Sequence, residues 1–174
     1  MVWKIAVGAV VGLVVALVSM ALVGRWVWHA RSERLLTELT ASLHEAGPGE
    51  FQLRQIERLP VPVQNYLSQV LSAEQTGVES VRISHSGTFN MGTDEPQWRP
   101  FSSTQDVVVA GPGFLWNAHI RMAPGMPARV HDAYMNGRAV LTARLFGLIT
   151  VMDSPDSPEL AEGELLRFLA EAPW

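Results

Sequence analysis

The sequence predicts an α+β protein: an N-terminal transmembrane helix, short helices, then a curved antiparallel β-meander with one helix packed on it, a partial half-barrel-like domain. Three observations carry this prediction. Ile5 to Val23 is apolar except for Ser19. From Gly77 onward apolar and polar residues alternate in short runs separated by tight-turn residues, and short connections force antiparallel pairing because parallel strands need a long crossover. Beyond Pro158 the spacing returns to that of a helix.

The apolar run comes first. As a helix it reaches roughly 28 Å, close to the hydrocarbon thickness of a bilayer. Trp3 precedes it and Trp26 and Trp28 follow it, at depths where amphipathic rings settle at the lipid boundary. A cleaved export signal is the competing reading, but the run exceeds the usual apolar length of such peptides and no A-x-A site follows. A short tail bearing Lys4 has the layout of a signal-anchor, which places the rest of the chain outside the cytoplasm. Arg25, Arg31 and Arg34 after the span pull the other way. Gly8, Gly12 and Ala16 recur every fourth residue on one face, the spacing by which transmembrane helices pair closely.

Arg31 to Ala46 reads as a helix leaving the bilayer, with Leu35, Leu36, Leu39 and Leu43 on one face and Gly47-Pro48-Gly49 as its stop. A second amphipathic helix is expected over Pro60 to Ser72, burying Val63, Tyr66, Leu67, Val70 and Leu71. The strands follow. Val81, Ile83 and Phe89 alternate with polar residues in a strand broken at Gly87 or ended near Gly92. Phe101 to Ala110 is a second, closed by Gly111-Pro112-Gly113. Phe114, Trp116, Ala118, Ile120 and Met122 form one face of a third. Ala128–Met135 and Arg138–Phe146 make a hairpin about Asn136-Gly137, a pair suited to two positive φ angles. Ile149–Asp153 adds a short sixth strand. Ser157 caps a final helix over Glu159–Ala172 that buries Leu165, Phe168 and Leu169 and spaces Glu164, Arg167 and Glu171 as ion pairs. The organisation expected is therefore residues 1–28 as anchor with flanks, 29–58 as juxtamembrane helix and linker, and 59–174 as the α+β domain.

Composition narrows the chemistry. The 174 residues are 48% hydrophobic and 17% charged, with a net charge of −4. Lys4 is the single lysine and the arginines are scattered, which argues against a nucleic-acid partner. The absence of cysteine excludes disulfides, thiolate metal sites, a thiol nucleophile and a lipid-modified cysteine. No histidine falls in a metal-ligand spacing, and His131 and Asp132, adjacent on a strand, point to opposite faces. No nucleophile elbow or phosphate-cradling glycine pattern is present. The expectation is no catalytic residue, no metal and no cofactor. Asp132 shares a face with Tyr134, and a carboxylate among apolar neighbours needs a cation or several donors. Arg121, Arg144 or Gln105 on adjacent strands would serve. Glu171 reads as a helix-end contact with Trp174. Phe89, Trp98, Phe101, Phe114, Trp116, Met122, Met126 and Tyr134 pack a core or line an apolar cavity on the inner side of the sheet.

Five segments, taken in order, carry a resemblance. They are Leu59-Pro60-Val61-Pro62-Val63-Gln64-Asn65-Tyr66-Leu67; Trp98-Arg99-Pro100-Phe101 with Gln105; Pro112-Gly113-Phe114-Leu115-Trp116-Asn117-Ala118; Asp132-Ala133-Tyr134 with Gly137; and Gly163-Glu164-Leu165-Leu166-Arg167-Phe168-Leu169-Ala170-Glu171 with Trp174. From Leu59 to Trp174 the chain resembles a family of bacterial membrane-anchored proteins of unknown function. The resemblance implies no activity, substrate or cofactor. Members continue past the segment matching Arg167–Trp174 with further strands, so it also implies that this chain is the front portion of a longer domain or a natural truncation, the complete family domain being a larger curved sheet similar to the half-barrels that carry lipids or lipoproteins.

The class expected from these residues is a non-enzymatic, single-pass protein of the inner (cytoplasmic) membrane whose β-rich domain binds an apolar small molecule or lipid at the bilayer surface. Gln105, Trp116, Arg121, Asp132 and Tyr134 are the candidate ligand-binding residues. The alternatives are an anchored assembly protein that forms a homodimer through Gly8, Gly12 and Ala16, and a fragment of an enzyme lacking part of its site.

Overall fold

A computed structural model of the chain describes residues 2–46, 53–71, 78–109 and 111–171. Helix α1 (Val2–Ala46) is unbroken. Its first half leaves Ile5, Val11, Leu17 and Leu22 exposed, and by length and composition it can cross a membrane. Its second half lies on a sheet. Trp28, Ser32 and Leu39 are buried there, with Leu35 and Leu36 packed beside them, along one helix face. Trp28 therefore departs from its expected place at the lipid boundary: it is 2% exposed, whereas Trp26 is 71% exposed. The expected stop at Gly47-Pro48-Gly49 lies outside the described residues.

A 3-10 turn (Leu53–Arg58) leads into α2 (Val61–Val70). Pro60 takes the N-cap position and a proline opens the first turn, where a missing N–H costs nothing. The Gln64 amide donates to the carbonyls of Glu57 and Leu59, tying the two pieces together. The predicted apolar face is not buried: Val63, Tyr66 and Val70 are exposed, because among the described residues the main packing partner of α2 is that turn and not the sheet.

The sheet is a meander in chain order, β1 (Ser80–Asn90), β2 (Trp98–Val108), β3 (Gly113–Ala123), β4 (Met126–Met135), β5 (Arg138–Leu145) and β6 (Ile149–Ser154), and all pairs are antiparallel. It does not close. β1 continues through Gly87, which pairs with Phe101, and ends where Asn90 Oδ1 accepts from the N–H groups of Gly92 and Gln97. β2 starts earlier than its alternation suggested. Pro100 lies beyond the start of the β3 ladder at Phe101, so no bond across that side is lost. The β4–β5 turn is as expected, with Asn136 at φ 54° and Gly137 at φ 74°. The β5–β6 turn repeats the device with Phe146 at φ 55° and Gly147 at φ 78°.

Register sorts the side chains onto two faces. One carries Asp106, Leu115, Asn117, His131, Ala133 and Thr142 and is covered by the second half of α1. The other carries Val107, Gln105, Phe114, Trp116, Asp132, Tyr134 and Leu141. Helix α3 (Pro158–Glu171) packs on that second face with Phe168 buried against Val107, Phe114 and Tyr134. Ser157 Oγ accepts from the Leu160 N–H and caps the helix as expected. Leu165 is half-buried, but Leu169, predicted inside, is 60% exposed because α3 presents only a narrow stripe to the sheet.

Where α1 enters the sheet, the helix comes very close. A Cβ added to Gly24 would sit 2.0 Å from the Phe146 carbonyl oxygen, and one on Gly147 would sit 2.6 Å from the Gly24 carbonyl oxygen. Two glycines thus let a helix backbone rest on a turn backbone. The cross-strand row Gly87, Phe101, Ile120, Ala128 and Leu145 lies at this same end.

Candidate functional site

Two polar constellations occur, one on each face of the sheet. On the α3 face Asp132 projects from β4 beside Trp116 of β3, its register partner. Its cation is Arg167 of α3, not an arginine from an adjacent strand. Arg121 stands on the opposite face from Trp116, exposed near the end of β3. Arg167 also reaches Glu171 at 2.9 Å and Glu164 at 3.8 Å, and its guanidinium carbon lies 4.7 Å from the Phe114 ring centre and 5.8 Å from that of Trp116. Gln105 Nε2 donates to Glu171 Oε2 at 2.8 Å. One guanidinium therefore serves three carboxyl groups while stacked on two aromatic rings.

That imbalance decides the protonation. Burial pushes the Asp132 carboxyl up against the pull of Arg167. Burial, then the Asp132 charge, raises Glu164 to about 7. Asp132 Oδ1 and Glu164 Oε2 are buried without another hydrogen-bond partner, and a proton held by Glu164 and shared with Asp132 satisfies both. Glu171 is different: burial raises it, but the hydrogen bonds from Gln105 and Arg167 outweigh that and leave it below the usual range. A carboxyl whose folded pKa is raised stabilises the fold below its unfolded value and loses that contribution as pH rises through the folded value. Stability is accordingly expected to fall between pH 4.5 and pH 7 on account of Glu164. Glu164→Gln should flatten this fall, as read from urea midpoints of the full chain across that range, and an unchanged slope would contradict the shared proton.

Beside this network the sheet is uncovered. A groove of about 730 Å³ runs over β1, β2 and β3. Phe89, Phe101 and Trp116 form its apolar part, with ring centres 6.1 to 6.3 Å apart. Gln105, Arg167 and Glu171 form its polar part. Of the sequence candidates, Gln105 and Trp116 line the groove. Asp132 lies behind Arg167, and Tyr134 is buried with Phe114 and Phe168. Neither Asp132 nor Tyr134 lines the groove that Glu171 borders, and Trp174 lies outside the described residues.

The second constellation went unread in the sequence. The Trp28 indole stacks on the His131 ring at 3.8 Å and 11°, and its Nε1 donates to Asn117 Oδ1 at 3.0 Å. Ser32 Oγ donates to the Trp28 carbonyl and accepts from Asn117 Nδ2 at 3.2 Å. With its one proton so used, Ser32 Oγ takes the Nε2–H of His131 at 2.8 Å. Burial, then the charges of Arg31, Arg144 and Arg129, lowers His131 to about 3, so the ring is neutral. His131 serves as the floor on which α1 rests. Among the described residues no group of three metal-ligating side chains gathers. Along the apolar half of α1, Gly8 and Gly12 face open space.

The sequence model of a family of unknown function (DUF6920) matches residues 57–174. No curated protein and no solved structure matches the chain.

Proposed function

This chain belongs to the DUF6920 family of unknown function, and we propose that it is a single-pass membrane protein whose sheet binds, without catalysis, one lipid or other apolar molecule drawn from the bilayer. The observation that carries this reading is the open aromatic groove of Phe89, Phe101 and Trp116 on a domain joined rigidly to a helix able to span a membrane. The apolar end of the groove, at Phe89 and Phe101, belongs to the end of the sheet where α1 enters. The polar end, at Gln105, Arg167 and Glu171, lies farther along the strands. An amphiphile fits that gradient with its chain on the rings and its head at Gln105 and Arg167. Apolar sites with a few placed polar groups are the usual form of a ligand pocket.

Full-length protein purified in mild detergent, extracted into organic solvent and analysed by mass spectrometry, is expected to carry lipid near one per chain. Phe89→Ser and Phe101→Ser, which place a hydroxyl in the apolar floor, should each lower that occupancy by about fivefold, since each removes one to two kcal/mol of apolar contact. Wild-type protein with no lipid above the micelle background, or serine variants that retain it undiminished, would remove the reading.

A further inference from the structure

On the other face of the molecule, away from the groove, we infer an anionic lipid-headgroup site built by α1 and β4. Leu22, Arg25, Trp26 and His29 are spaced i, i+3, i+4, i+7 and share one face of α1. Together with Arg129 of β4 they line an open cavity of about 380 Å³. Arg25 and Arg129 lie close enough for the charge of one to act on the other, and among the described residues neither has a carboxylate within salt-bridge distance. The nearest acid on that helix face, Glu33, reaches His29 at 3.7 Å instead. Two guanidinium groups held together without an anion call for one from outside, and the forked donors of arginine match the oxygens of a phosphate.

Position selects the source. Arg25 and Trp26 stand just beyond the apolar run that ends at Val23, separated from it by Gly24 alone, and Leu22 is the last residue but one of that run. In a bilayer-spanning α1 the cavity therefore opens at headgroup depth, where aromatic side chains also settle. The exposed Trp26 ring covers the glycerol region while Arg25 and Arg129 grip the phosphodiester, and Leu22 meets the first methylenes of the chain. The inference rests on α1 lying in the membrane, which is part of the preceding reading, but not on the groove.

Native mass spectrometry of the full chain, released from micelles doped with equal amounts of phosphatidylglycerol and phosphatidylcholine, tests it. Phosphatidylglycerol is expected to be retained in at least fivefold excess. Arg25→Gln and Arg129→Gln should each reduce that excess about fivefold, in keeping with the contribution of one arginine near an anionic surface, whereas Arg25→Lys keeps part of it. Arg34→Gln, outside the cavity, should leave it unchanged. Equal retention of the two lipids overturns the site, and so does an equal loss in Arg34→Gln, which would mean bulk charge. Inorganic phosphate that binds without lipid, with the same dependence on both arginines, reassigns the site to a free oxyanion and overturns the lipid source. Should Arg129→Gln fail to fold, Arg25→Gln, at an exposed helix position, decides the matter. Carbonate extraction of the same protein tests the span separately, and Phe89→Ser tests the groove separately.

Discussion

Replacing Arg167 with methionine is expected to destabilise the folded chain by about 3 kcal/mol at neutral pH, measured by urea denaturation of the full-length protein in detergent. Removing one partner of a buried ion pair commonly costs about 3–5 kcal/mol, and the guanidinium, 27% exposed, belongs at the lower end of that range. The loss is large because Arg167 is the common partner of Asp132, Glu164 and Glu171. Methionine keeps much of the contact with Phe114 and Trp116, so the change isolates the charge. The penalty should shrink as pH falls below about 7, where Glu164 takes up its proton and no longer needs a cation. Adding Asp132→Asn to the variant should recover part of the loss, since the orphaned charge is then gone. A loss below about 1 kcal/mol, the range of a surface pair, would show that solvent already serves these carboxylates.

Trp28→Ala should cost about 3–5 kcal/mol, the range for removing a buried aromatic side chain, and should release the second half of α1 from the sheet. Limited proteolysis reads the release directly: cleavage between Arg31 and Leu39, protected in the wild type, becomes fast. Trp28→Phe keeps a ring on His131 but loses the hydrogen bond to Asn117, so it should cost only about 1 kcal/mol beyond the smaller ring. The same contact gives the protein an acid limit. His131 has its pKa lowered in the fold, so its contribution is complete above pH 6.5 and is lost as pH falls toward about 3. Protease resistance of the α1 segment that is indifferent to Trp28→Ala would mean the helix is held by other contacts.

The meander was legible because its turns announce themselves. Asn136-Gly137 and Ser157-Pro158 take the conformations their chemistry favours, and alternation in β3 placed Trp116 and Asn117 on opposite faces correctly. Trp28 was misplaced because a tryptophan just after an apolar run has two readings, lipid boundary or buried contact, and only the helical phase it shares with Ser32, Leu35 and Leu39 separates them. Asp132 was legible as a carboxylate in need of a cation. Its partner was not, since Arg167 lies on a helix whose docking position no local pattern encodes. Arg121 fitted by strand proximity and failed on side-chain parity. Arg25 and Arg129 are far apart in the chain, and nothing short of the folded pairing of α1 with β4 brings them to one cavity.

The unbroken path of α1 from its apolar half into its contact with the sheet has a mechanical consequence. There is no swivel between the part able to sit in lipid and the part that carries the groove, so the azimuth of one sets the azimuth of the other. One residue inserted before Gly24 would turn Gly8, Gly12 and Ala16 by about 100° about the helix axis relative to the sheet and lengthen the stem by about 1.5 Å. Two copies meeting along that stripe would hold their grooves at a fixed mutual angle, like hands set on a common spindle.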